Sequence, residues 1–111
     1  MATDEMLKAL ADPIRLRIVE FIARPKAECC TQADRVCACD LTALTGLSQP
    51  AISHHMRILV AAELVQTEWE GRWVFYRLRR SRFLQLSKFL GSFGIGVESE
   101  QRVTRRVKVA G

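Results

Sequence analysis

Apolar residues recur at helical spacing through most of this chain and give way to a strand-like, β-branched and aromatic stretch after its midpoint. Met6, Leu7 and Leu10 lie on one side of a short helix predicted from Asp4 to Leu10. Ile14, Ile18, Phe21 and Ile22 stand at i, i+4, i+7 and i+8, the stripe of a second helix, with Arg15, Arg17 and Glu20 opposite. Asp12 suits the cap of that helix and Pro13 its first position, while Pro25 stops it shortly after Ala23. Residues 24–35 have no period. A loop is predicted there, of a length that often carries function inside a compact domain.

Leu41, Leu44 and Leu47 then mark one side of a short helix that Gly46 ends as a C-terminal cap. Ser48 is a cap for the next helix, with Pro50 in its first turn and Ile52, Met56, Leu59 and Val60 as its apolar stripe. Two helices joined by a tight glycine turn form a helix-turn-helix. Leu64 to Glu68 and Trp73 to Leu78 read as strands around Trp69-Glu70-Gly71-Arg72, a hairpin with Gly71 available for positive φ. A hairpin in that place is a wing. A last helix is predicted from Ser81 as cap, with Phe83, Leu86, Leu90 and Phe93 on one face and Gly91, Gly94 and Gly96 ending it. The fold expected is mainly α with a small β-hairpin, a winged helix-turn-helix over residues 1–94. A basic tail over 95–111, with Arg102, Arg105, Arg106 and Lys108, is expected to be mobile or ordered by a partner.

A length of 111 residues is one small domain, and its modest core favours stabilisation by a second copy. The formal charge of +5 suits a polyanionic partner, although many proteins with other duties share it. No apolar run reaches the ~18 residues of a membrane span. The N-terminus is acidic and then amphipathic, unlike a signal peptide, so a cytoplasmic protein with reduced cysteines is expected. Cys29, Cys30, Cys37 and Cys39 fall within eleven residues, a clustering that favours a metal or redox site over scattered core cysteines.

The side of the fourth helix opposite its apolar stripe carries Gln49, Ser53, His54 and Arg57 rather than the usual Glu/Lys mixture. Within a winged helix-turn-helix these are expected to contact DNA: Gln49 an adenine, Arg57 a guanine or phosphate, Ser48 and Ser53 either, and His54 or His55 a base or phosphate. Arg72 at the wing tip is placed to reach the minor groove or backbone. The stripe Phe83, Leu86, Leu90, Phe93 has few partners within one chain, so a homodimer interface is preferred to internal packing. Two recognition helices would then lie roughly 34 Å apart, matching an operator with two-fold symmetry.

The order of elements, together with VCACDL, LSQPAISHHMRIL and GRWVFYRL, resembles the arsenic-repressor (ArsR/SmtB) family of bacterial winged-helix metal sensors, from about Met6 to Phe89. The most specific parts are Cys37-x-Cys39-Asp40-Leu41, Ser48-Gln49-Pro50-x-x-Ser53-x-His55 and the wing text ending Tyr76-Arg77-Leu78. The resemblance implies a transcriptional repressor that dimerises through its first and last helices, Leu7 included, binds an inverted-repeat operator and leaves it when the sensed ion binds.

Cys37 and Cys39 stand at the entrance of the helix that supports the recognition helix. In a regular helix, positions i and i+2 diverge, so the two share an ion only where the backbone is not helical or unwinds. Thiolates select soft ions. Trivalent arsenic or antimony takes three sulfurs, and arsenic sensors resembling this chain often place a third cysteine where Thr42 stands here. The third sulfur is therefore expected from Cys29 or Cys30, unless binding is two-coordinate or the vicinal pair forms its own site. Four sulfurs would alternatively hold cadmium, lead or zinc. The zinc and nickel sensors of the family use His and acidic ligands on the last helix, and Ser81 to Gly94 contains none. A redox or sulfide sensor working through disulfides is the other regulatory reading. An enzyme is disfavoured, because no base or phosphate cradle lies near the cysteines.

Overall fold

A computed structural model of the chain describes residues 2–25 and 35–95. Cys29, Cys30, Gly96 and the basic tail lie outside the described residues. Helices α1 (Thr3–Leu10) and α2 (Pro13–Ala23) are followed by strand β1 (Val36–Cys37), helices α3 (Ala38–Thr45) and α4 (Gln49–Ala61), strands β2 (Val65–Glu70) and β3 (Trp73–Leu78), and helix α5 (Arg80–Ser92).

Local chemistry sets most of these boundaries. Asp12 caps α2, its carboxylate accepting the Arg15 backbone N–H at 2.9 Å, with Pro13 in the first position. Ser48 caps α4 by accepting from Ala51. Gly46 ends α3 at φ 72°, a left-handed conformation costly to other residues, and its N–H bonds the Thr42 carbonyl at 2.9 Å. α5 starts one residue before the expected cap: Arg79 holds that position and Ser81 lies inside the helix. The reason is the sheet, because the Arg79 N–H is fixed at 2.8 Å on the Leu64 carbonyl before the chain turns. Gly91 also lies within α5, whose C-terminal cap is Phe93.

The hairpin is tighter than expected. Trp69 and Glu70 belong to β2, and Glu70 pairs with Trp73, leaving Gly71-Arg72 as a two-residue turn with Gly71 at φ 59°. β1 adds a third strand, giving the order β1-β3-β2, all antiparallel, with Val36 opposite Tyr76 and Cys37 opposite Phe75. Two residues are too few to show a period.

The core joins Met6 and Ala9 of α1, Ile18, Val19 and Ile22 of α2, Leu41 of α3, Ile52, Met56 and Leu59 of α4, and the inward side of the sheet. Ile14 and Phe21 pack at its margin, and Val19 is buried although it lay off the expected stripe. The last-helix stripe divides. Leu86 is 4% exposed and belongs to the core of the single chain, and Phe83 packs against that core. Leu90 and Phe93 face solvent, together with Leu84, Phe89 and Ile95. Leu7 is partly buried against the core.

Candidate metal centre and nucleic-acid interface

Val36 and Cys37 are extended because they pair with β3, and the helix begins only at Ala38. Cys37 is the N-cap of α3, at φ −77° and ψ 148°. This extended residue removes the obstacle that i, i+2 spacing poses in a regular helix. The Cys37 and Cys39 sulfurs come to 2.9 Å, with the Cys39 thiol directed at Cys37 Sγ. Cys37 Sγ also accepts the Cys39 backbone N–H at 3.4 Å, and the Asp40 carboxylate accepts the Cys37 N–H at 3.3 Å, completing a capping box. Cys37 and Asp40 are buried; Cys39 is half-buried. Among the described residues, no third cysteine, histidine or carboxylate joins the two sulfurs in a metal-sized cluster.

Cys37 and Cys39 line one side of a cleft of about 320 Å³ shared by α3, α4 and the wing. Thr42 lies on the same side as the two cysteines, with its hydroxyl on the Cys39 carbonyl at 2.8 Å. Gln49, Ile52 and Ser53 of α4 form a second wall, and Trp69, Arg72, Trp73, Val74 and Tyr76 of the wing a third. Burial pushes the Tyr76 phenol above its ordinary value. Sequence reasoning missed the two tryptophans and the shared cleft. Their only signal was aromatic text in the wing, which a strand explains equally well.

The α4 side chains expected at DNA separate into two groups. Ser48, Gln49, Ser53, His54 and Arg57 are exposed on one helix, and Arg72 is exposed at the wing tip. His55 turns inward: its side chain is 16% exposed, with Nδ1 3.3 Å from the Arg15 guanidinium and 4.0 Å from the Asp12 carboxylate. Its helical position faces α2, and these contacts tie α4 to that helix. Arg15 also donates to the Ala9 carbonyl near the end of α1, and Arg17 donates to the Leu44 carbonyl at 3.0 Å. Both arginines thus tie helices together.

Arg35 is a further residue that periodicity could not single out. Its guanidinium is 8% exposed, donates to Glu68 at 2.9 Å and Glu70 at 2.7 Å, and lies 4.0 Å over the Phe75 ring. Arg77 pairs with the same Glu68 at 2.7 Å. The segment leading into Cys37 is therefore fastened to both wing strands.

Comparison with known proteins agrees with this arrangement. Residues 12–67 match the family model described as "Bacterial regulatory protein, arsR family". The chain is 40% identical over 73 residues to an arsenical resistance operon repressor of Staphylococcus xylosus, covering 66% of this chain and 62% of the relative. It is 38% identical over 82 residues to a transcriptional repressor SmtB homolog of a Synechocystis strain, covering 74% of this chain and 55% of that one. The chain thus spans less than two thirds of the length of either relative. A crystal structure of a possible transcriptional regulator for arsenical resistance superposes with a TM-score of 0.69 at 30% identity, over 91% of this chain and 95% of the other. A capped helix pair, a wing behind it and a match running from the α2 cap into β2 lead to one conclusion: this winged-helix chain belongs to the arsR family of bacterial regulatory proteins.

Proposed function

We propose that the chain is a homodimeric transcriptional repressor that leaves its operator when trivalent arsenic or antimony binds Cys37 and Cys39. The observation that carries this reading is the shared cleft: Cys37 and Cys39, whose sulfurs lie 2.9 Å apart, line the same space as Gln49 and Ser53 of α4. In the DNA-bound state α4 lies in the major groove, with Gln49, Ser53 and Arg57 toward base edges and Ser48 and His54 beside them. Arg72 reaches the backbone or minor groove from the wing. Exposed Leu90 and Phe93, with Phe89 and Leu84, join α1 in covering the dimer contact.

An ion bonded to both sulfurs acts at the start of α3. Cys37 Sγ accepts the Cys39 N–H there, so a bond to that sulfur competes with the helix cap and pulls on the helix supporting α4. A tetrahedral ion with bonds of about 2.3 Å to sulfur would need the two sulfurs about 3.8 Å apart. A pyramidal ion with narrower angles fits the observed separation with less movement. A loop cysteine, Cys29 or Cys30, supplies the third sulfur for a bare ion. Four sulfurs holding cadmium, lead or zinc would require both loop cysteines and a wider opening. The name of the Staphylococcus xylosus relative supports arsenical sensing.

Reversal of DNA occupancy requires the ion to favour the released state by about 5 kcal/mol. The test is operator binding by the reduced protein in the presence of arsenite, antimonite, cadmium, lead, zinc or a mild oxidant. Release by arsenite with bound arsenic supports the reading. Release by oxidant alone would establish the thiol-redox alternative, for which the close approach of the two sulfurs also provides the geometry.

A further inference from the structure

The hairpin register sorts the wing into two faces. Val65, Thr67 and Trp69 of β2 stand opposite Leu78, Tyr76 and Val74 of β3, and these six share the side turned to α4. Glu68 and Glu70 lie on the other side with Phe75 and Trp73. The row facing α4 starts in the core, where Val65 is fully buried, and ends in solvent at Trp69, which is 68% exposed. The row of α4 that meets it is Ser53, Met56, Arg57 and Val60, at i, i+3, i+4 and i+7. A groove of about 410 Å³ runs between the two rows. Met56 and Tyr76, both buried, form its floor. Its rims are exposed: Ser53 and Arg57 on the helix, Thr67 and Trp69 on the strand.

The chemistry of this groove suits one occupant. Among the described residues no carboxylate lines it. The carboxylates of β2, Glu68 and Glu70, are turned to the opposite side, where Arg35 and Arg77 hold them. A guanidinium at a rim without carboxylates attracts phosphate. A deoxyribose presents C–H groups that an indole covers without needing a hydrogen bond. Ser53 and Arg57 belong both to this groove and to the exposed row of α4 that begins at Gln49, so a duplex read by α4 brings one strand across it. We infer that the groove seats the sugar–phosphate backbone of that strand, with the Trp69 indole against a deoxyribose and the Thr67 hydroxyl donating to a phosphate oxygen. Resting on the proposed operator binding, this seat adds a contact without charge to an interface otherwise made by polar and basic side chains. Every nucleotide presents the same sugar, so the contact strengthens all sequences alike. It releases no counterion, so salt leaves it unchanged.

Trp69 and Trp73 are the two tryptophans of the chain, so fluorescence can observe each alone. The test uses the full, reduced chain and a duplex that it selects from random sequences, with binding followed by anisotropy of the labelled DNA. In a Trp73→Phe chain, saturation with the duplex should lower acrylamide quenching of Trp69 at least threefold. In a Trp69→Phe chain, Trp73 on the other face should keep most of its quenching. Trp69→Ala should weaken the selected duplex and random duplexes by the same factor, about tenfold, with the slope of log affinity against log salt unchanged. Its melting temperature should match that of the native chain, because the lost side chain is exposed. A bound duplex that leaves Trp69 as open to acrylamide as before would overturn the seat while operator binding stands. So would protection of Trp73 in place of Trp69, or a Trp69→Ala loss confined to the selected sequence. A native chain that binds no duplex even at low salt would remove both the seat and the repressor reading.

Discussion

Cys37 combines two roles in one sulfur: it caps α3, and it faces the Cys39 thiol. Serine separates these roles, since a hydroxyl can cap but cannot hold a soft ion. Cys37→Ser is expected to abolish arsenite response with operator binding intact, and Cys37→Ala to unfold about 0.5–1 kcal/mol more easily than Cys37→Ser in urea. Asp12 gives a pH signature. Its carboxyl is held below the ordinary 3.8, first by the Arg15 backbone N–H. The charged cap therefore contributes fully above that value and is lost as pH falls through the lower folded-state value. The stability advantage of the native chain over Asp12→Asn should shrink as pH falls from about 5 through the lower folded-state value, measured by denaturant unfolding at each pH. The caps at Asp12 and Ser48 were legible because Asp-Pro and Ser-x-Pro are helix starts on any chain. The cap at Cys37 was not, because cysteine seldom serves as one, and Ser81 misled because a sheet hydrogen bond set the boundary at Arg79.

At the scale of elements, α4 and the wing divide the work of reading in the proposed complex with DNA. Gln49→Ala should cost about 1–3 kcal/mol of operator affinity and relax preference at one base pair, as measured against a panel of single-base operator changes. Arg72→Ala should weaken all sequences alike and reduce the slope of log affinity against log salt by about 0.9. Opposite patterns would exchange their roles. The helical stripes were legible because burial on one side repeats every three or four residues. Strand β1 was not, since Val36 and Cys37 acquire their strand character only by pairing with Tyr76 and Phe75. That pairing makes Cys37 extended and lets the two sulfurs meet. Arg35 carries the same lesson: it closes a stretch without period, yet Glu68, Glu70 and the Phe75 ring enclose it. Replacing it with methionine should lower the melting temperature and loosen the wing, seen as faster amide exchange in β2 and β3.

For the whole molecule, the sequence pattern located the helix-turn-helix and the Cys37–Cys39 pair but not the space between them. The cleft joins side chains from α3, α4 and the hairpin, separated by up to 39 positions, and no periodicity reports such a meeting. The stripe expected at a dimer face divides. Leu86 and Phe83 are engaged within the single chain, while Leu90 and Phe93 remain outward. Leu90→Glu with Phe93→Glu should yield monomers by sedimentation equilibrium and reduce operator affinity, with the monomer fold intact because neither side chain belongs to the core. The central claim is that a soft ion at Cys37 and Cys39 releases the reader from DNA. The most direct measurement is fluorescence anisotropy of an inverted-repeat operator, selected by the reduced protein from random duplexes, during arsenite titration under strictly reducing conditions. The account predicts loss of the bound signal for the native chain and none for Cys39→Ser at equal starting occupancy. Release that persists in Cys39→Ser, or a native complex indifferent to arsenite, would contradict it.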